Sequence, residues 1–181
     1  IEWVNQDIYV YVSNAELEFL QRIDLAGKVE TVLDKAVFGG VAVSSDGQYI
    51  AYTKANDGRL GEELYIMNVE KRESRRIHTK PTFSVARIQW APDNQMLAFN
   101  ILPRLHGGTA MIQVVNVETE EVLYSFRGIY PVWSPDGKYL AFLDIPDFGD
   151  GFSLKLYSIH SGQINVIVSQ GVDLVKAVRK P

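Results

Sequence analysis

The sequence contains no cysteine. Without thiols, the chain can form neither a disulfide framework nor a thiolate nucleophile, and cysteine usage gives no sign of its compartment. Its three histidines, His78, His106 and His160, fall at different places in the repeat described below. Because a zinc site needs three or four ligands that meet at one ion, we expect no histidine-based metal site.

Two signatures of catalysis are also missing. The chain has no Gly-x-Ser-x-Gly segment, the sharp turn that carries the nucleophile of α/β-hydrolases. The glycine pairs at 39–40 and 107–108 are not followed by the Lys-Ser/Thr pair of a phosphate-binding loop. We therefore expect that this chain is not an enzyme and that it needs no cofactor.

The charge balance and the short apolar runs exclude two more classes. A formal net charge of −4 and an isoelectric point near 5.4 argue against a nucleic-acid-binding protein, which normally carries a clustered basic face. The one basic stretch, residues 71–80, is interpreted as the solvated edge of a strand, with a surface for an acidic partner as the alternative. Since the apolar runs are strand-sized, we expect no insertion into a membrane.

A ten-residue motif occurs four times and organises the chain. Its clearest copy, residues 133–142 (WSPDGKYLAF), can be laid without gaps over the three others. These are 43–52 (VSSDGQYIAY), 90–99 (WAPDNQMLAF) and the more divergent 3–12 (WVNQDIYVYV). Successive copies begin 40 to 47 residues apart, and a period in the forties with strand-like sequence throughout is typical of a β-propeller blade.

Each copy predicts a turn between two strands. Proline fixes φ, aspartate bonds the downstream backbone, and glycine or asparagine accepts positive φ, which we expect at Gly137 and Asn94. The strand after the turn is continuously apolar and should be buried on both faces. Three of the four copies begin with tryptophan. Because the three tryptophans occupy the same position of the aligned motif, we expect all of them to pack between neighbouring blades. The motif positions to which we assign a structural role are Trp3, Trp90, Trp133, Asp46, Gly47, Asp93, Pro135, Asp136 and Gly137.

Together with the third strand and polar turn that follow each copy, residues 133–142 resemble the repeat of TolB-type β-propellers. The same repeat occurs in tricorn protease and in the propeller domains of prolyl-oligopeptidase-like peptidases, and the resemblance covers nearly the whole chain. It implies an all-β fold with about four blades, each a four-stranded antiparallel sheet, either as a complete ring or as part of a larger one. If the resemblance to TolB extends to location, the protein is periplasmic or otherwise extracytoplasmic.

We expect one array without internal domain boundaries. The repeats span about 1–35, 36–80, 81–127 and 128–170, and residues 171–181 look like the first strand of a further blade. An open arc of blades would expose two apolar faces larger than most monomers tolerate. We therefore predict self-association, or a complementing chain that completes the ring.

Long loops join the second and third strands of the later repeats, at 54–63, 101–111 and 144–153. Elaborated loops on a rigid scaffold commonly carry function. The candidate contacts with a protein or peptide are Arg59, Glu62, Glu63, Arg104, His106, Asp147 and Phe148. For each of them the alternative is an exposed loop residue without a partner.

Three aspartates in the last of these loops suggest a cation site. Asp144, Asp147 and Asp150 could offer several oxygens to Ca²⁺, a hard cation that prefers such ligands. The spacing and the bidentate glutamate of an EF-hand are absent, so our expectation for the chain as a whole remains that it holds no metal.

Two classes of function fit these features. In the first, the chain is a non-enzymatic TolB-like scaffold that binds a protein or peptide through its long-loop rim or its central channel. In the second, it is the substrate-gating propeller domain of a serine peptidase whose catalytic domain lies outside this sequence. We prefer the first because this sequence contains none of the catalytic motifs considered above.

Overall fold

The computed structural model describes residues 1–13, 18–34, 40–55, 61–77, 83–103, 108–144 and 151–168. Over these residues the chain forms sixteen strands in four antiparallel sheets of four strands each. Strand order within every sheet follows chain order, so each sheet is one repeat of the motif and its following strands. The predicted all-β architecture of four-stranded blades is confirmed.

The blades follow one another along the chain. Blade 1 contains β1 (Glu2–Val4), β2 (Asp7–Ser13), β3 (Glu18–Asp24) and β4 (Val29–Asp34). Blade 2 contains β5 (Val41–Val43), β6 (Tyr49–Ala55), β7 (Glu62–Asn68) and β8 (Glu73–Ile77). Blade 3 contains β9 (Phe83–Trp90), β10 (Met96–Pro103), β11 (Met111–Asn116) and β12 (Val122–Arg127). Blade 4 contains β13 (Ile129–Trp133), β14 (Tyr139–Asp144), β15 (Ser153–Ser158) and β16 (Ile164–Val168).

Neighbouring blades pack face to face through apolar side chains of their middle strands. We call the face toward the preceding blade the leading face, and the face toward the following blade the trailing face. Between blades 2 and 3, apolar side chains of the trailing face of blade 2 meet apolar side chains of the leading face of blade 3. The members of this buried cluster are Ala51, Leu64 and Ile66 on the trailing face, and Leu97, Phe99 and Val115 on the leading face.

The same columns of residues recur at the other two interfaces. Blade 1 packs on blade 2 through Tyr9 and Leu20, opposite Ile50, Tyr52 and Met67. Blade 3 packs on blade 4 through Ala98, Ile112 and Val114, opposite Leu140, Phe142 and Tyr157. This regularity arises because successive side chains of a strand point to opposite faces of its sheet. Among the described residues no such cluster joins blade 1 to blade 4, so the array is open, like part of a ring.

Hydrogen bonds of charged side chains also link blade 1 to blade 2. Arg72 donates to the carbonyl oxygen of Val32 at 2.8 Å and to the Glu30 carboxylate, which accepts a second bond from Arg22 at 2.6 Å. Burial acts to raise the pKa of Glu30, but the two guanidinium groups hold it below its ordinary value. This link therefore stabilises the fold above the unfolded-state pKa and is lost as the pH falls through the folded-state pKa.

The motif turns adopt the predicted conformation, with φ of 70° at Gly137 and 58° at Asn94. In the fourth copy Asp136 accepts hydrogen bonds from the Ser134 hydroxyl at 2.7 Å and from the Lys138 N–H at 3.1 Å. The bond from Ser134, and after it the one from Lys138, lowers the pKa of the Asp136 carboxyl. Local side-chain chemistry therefore stabilises this turn from within.

Replacing Gly137 with valine should destabilise the protein by about 1 to 3 kcal/mol, because a β-branched residue is strained at positive φ. The control is Gly137→Asn, which introduces the residue that the third copy carries at its own positive-φ position, Asn94. It should cost less, since asparagine tolerates this region. Urea unfolding of both variants measures the difference, and equal free energies of unfolding for Gly137→Val and wild type would contradict the assignment.

The first copy departs from the gapless alignment. Its turn occupies only residues 5–6, so Trp3 pairs with Ile8, whereas the equivalent Trp90 pairs with Leu97. The turn is therefore two residues shorter than in the third copy, and Ile8 is the structural counterpart of Leu97. Because the shift is an even number of residues, every side chain keeps its predicted face.

The tryptophans that begin the motif are half-buried only where another blade precedes them. Trp90 and Trp133 are half-buried, and their indole N–H groups donate to Ala42 O at 3.0 Å and Gln89 O at 3.3 Å in the preceding blade. The side chain of Trp3 is 62% exposed. Among the described residues no blade lies against the leading face of Trp3, so packing between blades stays a prediction for this residue.

Candidate binding site along the inner strands

A cavity of about 710 Å³ lies along the first strands of the blades, β1, β5, β9 and β13, which we call the inner strands. Its polar lining comes from Glu2, Arg87, Gln89, Asn100 and Tyr130, and its apolar lining includes Val41, Ile88, Leu102 and Ile129. Every inner strand pairs with one neighbour only, so its other edge leaves a row of backbone groups unpaired in its sheet.

Two β-bulges shape this cavity. The strand β9 shifts register against β10 at residues 87–88, and β13 shifts against β14 at residues 130–131. Arg87 and Tyr130 have φ of 54° and 56°, a left-handed conformation that is uncommon and strained for residues other than glycine. A bulge redirects the side chain it carries, and here it does so at the same place in two neighbouring blades.

The two bulged residues contact each other across the blade boundary. The Arg87 guanidinium carbon lies 4.7 Å from the centroid of the Tyr130 ring, a cation–π arrangement. Both side chains are exposed, and no carboxylate of the described residues forms an ion pair with Arg87. The cavity therefore contains a positioned positive charge whose hydrogen-bonding groups can meet an anionic group.

A buried asparagine holds the second bulge in place. Asn100, 2% exposed, donates through Nδ2 to Gly128 O at 3.0 Å and to Met111 O at 3.3 Å. Its Oδ1 accepts a hydrogen bond from Tyr130 N at 2.9 Å. Buried amides are expensive unless they are paired, and this one is paired at both ends. Asn100 thereby joins blade 3 to the inner strand of blade 4 and fixes the backbone that carries Tyr130.

On the other side of the cavity, Glu2 has a structural partner. Its Oε2 accepts a hydrogen bond from Val43 N at 3.0 Å, which links the inner strands of blades 1 and 2. The carboxylate is thus committed in part to the backbone. Glu2 lines the same cavity as Arg87, but the described residues show no ion pair between the two side chains.

Two of the predicted contact residues lie within the described part of the chain. Glu62 is 5% exposed and accepts a hydrogen bond from Val85 N at 3.0 Å, so it links blade 2 to β9. Glu63 accepts bonds at 2.9 Å from the Tyr65 hydroxyl and from Arg76. Burial raises the pKa of Tyr65, and the bond to Glu63 raises it further. Neither glutamate lines the inner-strand cavity.

The other predicted contact residues, Arg59, Arg104, His106, Asp147 and Phe148, lie outside the described residues. A ligand role for the long loops therefore stays a prediction. The same holds for the segment 171–181, which was predicted to begin a further blade.

Of the three aspartates considered for Ca²⁺, only Asp144 is described. Its Oδ2 lies 2.6 Å from Lys155 Nζ and its Oδ1 lies 3.2 Å from Arg127 Nε, so two cations already compensate its charge. Within the described ranges, no group of three or more histidine, cysteine or acidic side chains is placed to hold a metal ion. Asp147 and Asp150 lie outside those ranges, and the site stays a prediction.

The residues that line the cavity were not among the sequence-based candidates. One of them, Asn100, had a visible signal, because it is the only polar side chain in the apolar strand 96–103. Arg87 and Tyr130 had none, since their conformation depends on the pairing of two strands and not on local sequence. A search for polar residues within apolar strands would have found the organising residue but not the exposed pair.

No protein-family model and no curated protein sequence matches this chain. Its structure nevertheless superposes on TolB from Acinetobacter baumannii with a TM-score of 0.70 and 20% sequence identity, over 93% of this chain and 42% of that one. The fold is a TolB-like β-propeller.

Propeller domains of peptidases are similar as well. A prolyl endopeptidase matches the TolB-like propeller described here with a TM-score of 0.71 and 17% identity, over 94% of this chain and 29% of that one. The β-propeller domain of the Trilobed protease from Pyrococcus furiosus, described as having an open velcro topology, matches with a TM-score of 0.69 and 15% identity. That match covers 93% of this chain and 56% of the domain.

These likenesses concern the fold. At identities of 15% to 20% they say nothing about ligands, and this chain spans between 29% and 56% of the length of the three structures. Within the described residues, no helix is long and apolar enough to cross a membrane.

Proposed function

We propose that this TolB-like propeller is a non-enzymatic scaffold that binds an extended peptide or protein segment in the inner-strand cavity, with Arg87 as the anchor for a carboxylate. The observation that carries the proposal is the Arg87–Tyr130 pair. An exposed guanidinium with no acidic partner among the described residues, stacked on a ring at 4.7 Å, is held at the cavity by two strained bulges. Strain of this kind persists where the surrounding structure enforces it, commonly at functional sites.

The inner strands support a peptide as the ligand through those edge groups that bond no side chain, since Val43 N and Val85 N are already bonded to Glu2 and Glu62. An extended segment can add to an exposed sheet edge through main-chain hydrogen bonds, while pockets beside the edge select its side chains. The longest inner strand, β9 (Phe83–Trp90), carries Arg87 in its middle, so an added strand would pass the guanidinium. Arginine binds carboxylates through paired, charge-assisted hydrogen bonds.

The volume and lining of the cavity fit such a segment. Ligand clefts are usually about 300 to 1,000 Å³, apolar for the most part, with a few convergent polar groups. The cavity of about 710 Å³ combines apolar side chains such as Val41, Ile88 and Leu102 with the polar groups of Arg87 and Gln89. A side chain or chain terminus with a carboxylate would meet Arg87, and its neighbours would meet the apolar wall.

The test compares short fluorescein-labelled peptides that end in glutamate with a free carboxylate against the same peptides ending in glutamine amide. The acidic peptides should bind more tightly, as measured by fluorescence anisotropy. Arg87→Gln should weaken their binding by about tenfold or more, the effect of one lost charge-assisted hydrogen bond, and leave the neutral peptides unchanged.

The matched control is Arg76→Gln, which removes an exposed arginine of the outer strand β8 that pairs with Glu63 and does not line the cavity. It should leave peptide binding intact. Equal binding of the two peptide series, or an equal loss in both arginine variants, would contradict the proposal. Unfolding curves of both variants check that neither substitution acts by destabilising the fold.

The likeness to peptidase propellers favours a second function, in which the propeller admits substrates to a separate catalytic domain. Peptide capture in the cavity would serve this role equally, because a gating propeller must also contact the segment that passes. The two functions differ in whether the bound peptide is cleaved when the complete protein is present. Cleavage that requires a serine nucleophile encoded elsewhere in the gene would support the second function over the first.

A further inference from the structure

We propose that the space beside Gly40 in the inner-strand cavity is a subsite for an apolar side chain of the ligand, one of the two that precede its acidic end. This inference rests on the proposed function, because it takes Arg87 as the anchor for a carboxylate in the same cavity. It adds the class of ligand, a segment with a leucine-like side chain just before an acidic terminus. Gly40 is then a residue that determines specificity.

Gly40 occupies the position that carries the two bulged side chains in the following blades. Gly40, Arg87 and Tyr130 each lie three residues before a copy of the motif, and all three line the cavity. Blades 3 and 4 therefore present a large side chain at this position, whereas blade 2 presents none. The missing side chain leaves room on the blade 2 side of Arg87.

The fold does not require glycine at this position. The φ of Gly40 lies outside the left-handed range that favours glycine, so other residues can adopt its conformation. A Cβ on Gly40 would lie 3.5 Å from Cδ1 and 3.6 Å from Cγ1 of Ile88, which are ordinary van der Waals distances. Because neither backbone strain nor close packing explains the glycine, its consequence for the structure is the space that it leaves in the cavity.

The walls of this space are mainly apolar. A Cβ on Gly40 would face the side chain of Ile88, which is 3% exposed, and Val41 lines the cavity next to Gly40. Outside the two chain neighbours of Gly40, the polar atom nearest to that Cβ is Arg87 N, at 3.8 Å. A leucine side chain of the ligand would therefore lose its contact with water against Ile88 and Val41, which is favourable for binding.

Hydrogen bonds hold the chain around Gly40 in place. The carbonyl oxygen of Gly40 accepts a bond from Thr53 N at 3.3 Å, within blade 2. That of Ala42 accepts a bond from the indole of Trp90 at 3.0 Å, across the boundary to blade 3. Since this segment is tied to its own blade and to the next one, it cannot easily move to fill the space. The subsite is therefore formed before a ligand binds, which lowers the free energy cost of binding.

The subsite and the anchor lie on opposite sides of the Arg87 backbone. The guanidinium extends toward blade 4, where its carbon lies 4.7 Å from the ring centroid of Tyr130, while Gly40 approaches Arg87 N from blade 2. A ligand that contacts both must pass over Arg87. In an extended segment, side chains on the same side are about 7 Å apart. A carboxylate at the guanidinium therefore leaves one of the two preceding side chains to enter the space beside Gly40.

Fluorescein-labelled peptides that end in glutamate test the subsite when the two preceding residues are varied. A peptide with leucine at one of these positions should bind about tenfold or more tightly than the peptide with glycine at both, since most of a leucine side chain would be buried. Lysine at the same positions should not give this gain. A preference for lysine would assign the space to the carboxylate of Glu2, which lines the same cavity, and would overturn the proposal.

Gly40→Val should reduce the ratio of the affinities for the leucine and glycine peptides to about one, because its methyl groups occupy the subsite. Gly40→Ala is a smaller change that the ordinary contacts around Gly40 tolerate, and it should reduce the ratio in part. The matched control is Gly108→Val, at an exposed glycine without positive φ that does not line the cavity. A ratio that is unchanged in both Gly40 variants, or that falls equally in Gly108→Val, would overturn the proposal.

Arg87→Gln separates this inference from the proposed function. It should weaken the binding of the leucine and glycine peptides by the same factor and leave the ratio of their affinities unchanged. Equal affinity of the wild type for all acidic peptides, with binding still weakened in Arg87→Gln, would overturn the subsite and leave the proposed function standing. Binding that does not depend on Arg87 would overturn both.

Alkylation of a cysteine at position 40 gives an independent measurement, because the chain has no cysteine of its own. Gly40→Cys should react with iodoacetamide several-fold more slowly when it is saturated with the leucine peptide than when it is saturated with the glycine peptide. Gly108→Cys should react at the same rate with either peptide. Equal protection of Gly40→Cys by the two peptides would overturn the proposal.

Discussion

Gly128→Ala is expected to destabilise the protein by roughly 3 kcal/mol or more, through backbone strain and overpacking together. Gly128 has φ of 154°, where side chains are disfavoured, and it is buried at the start of blade 4. A Cβ there would lie 2.5 Å from Cδ2 of Phe142 and 3.1 Å from Cδ1 of Ile112. Both neighbours belong to the core between blades 3 and 4, which has no room to give.

The control is Gly27→Ala, at a glycine with φ of 83° where an added Cβ would meet no atom within 4 Å. This variant tests backbone strain alone and should cost about 1 to 2 kcal/mol. Urea unfolding monitored by tryptophan fluorescence measures both free energies. Equal values for the two variants would mean that the core between blades 3 and 4 relaxes around the methyl group.

The sequence predicted most of the blade architecture because the signals for it are local. A turn of the type seen at Gly137 depends on a few adjacent residues, and a continuously apolar strand such as 96–103 predicts its own burial. The four copies of the motif predict the same turn and strand each time, and together they predict an array of similar blades. These parts agree with the structure at each described copy except the first.

The first copy shows what a gapless comparison of repeats misses. The first copy reverses the chain with a shorter, two-residue turn at 5–6. The gapless alignment therefore placed Ile8 two positions away from Leu97, its structural counterpart. The exposure of Trp3 could not be foreseen from its column either. A column predicts which face a side chain takes, but its burial depends on whether a second sheet lies against that face.

The candidate site was less predictable than the blades. Sequence reasoning placed function at the long-loop rim or in the central channel, but every contact residue that it named belongs to the long loops. The cavity of the described residues lies along the inner strands, and none of those named residues lines it. Arg87 and Tyr130 point into it because of bulges, and a bulge results from the register between two strands. A bulge depends on how many residues of one strand lie opposite its partner, and the residues of either strand alone do not show this.

Asn100→Leu is expected to destabilise the protein by about 3 kcal/mol or more, since each buried polar group left without its partner costs about 1 to 3 kcal/mol. Leucine has a similar size but no hydrogen-bonding groups. It would leave the N–H of Tyr130 and the carbonyl oxygen of Gly128 without the side-chain bonds that they make now. Water cannot easily replace these bonds, because Asn100 is 2% exposed.

The same substitution should weaken peptide binding, because Asn100 fixes the backbone that presents Tyr130 to Arg87. Asn116→Ala is the matched control. The Asn116 side chain also accepts two backbone hydrogen bonds, from Glu118 N and Thr119 N at 2.9 Å, but it does so in a turn that water can reach. Its loss should cost about 1 kcal/mol, near the net value of an ordinary hydrogen bond, and leave binding unchanged.

Urea unfolding and fluorescence anisotropy with the acidic peptides separate the two effects of Asn100→Leu. If the variant unfolds too readily to be titrated at room temperature, binding can be measured at lower temperature, where the folded fraction is restored. Retention of full peptide affinity in folded Asn100→Leu would show that the Tyr130 bulge holds its shape without the amide. The bulge would then be fixed by the packing of Pro131 and Leu143, which are both buried next to it, and not by the hydrogen bonds of Asn100.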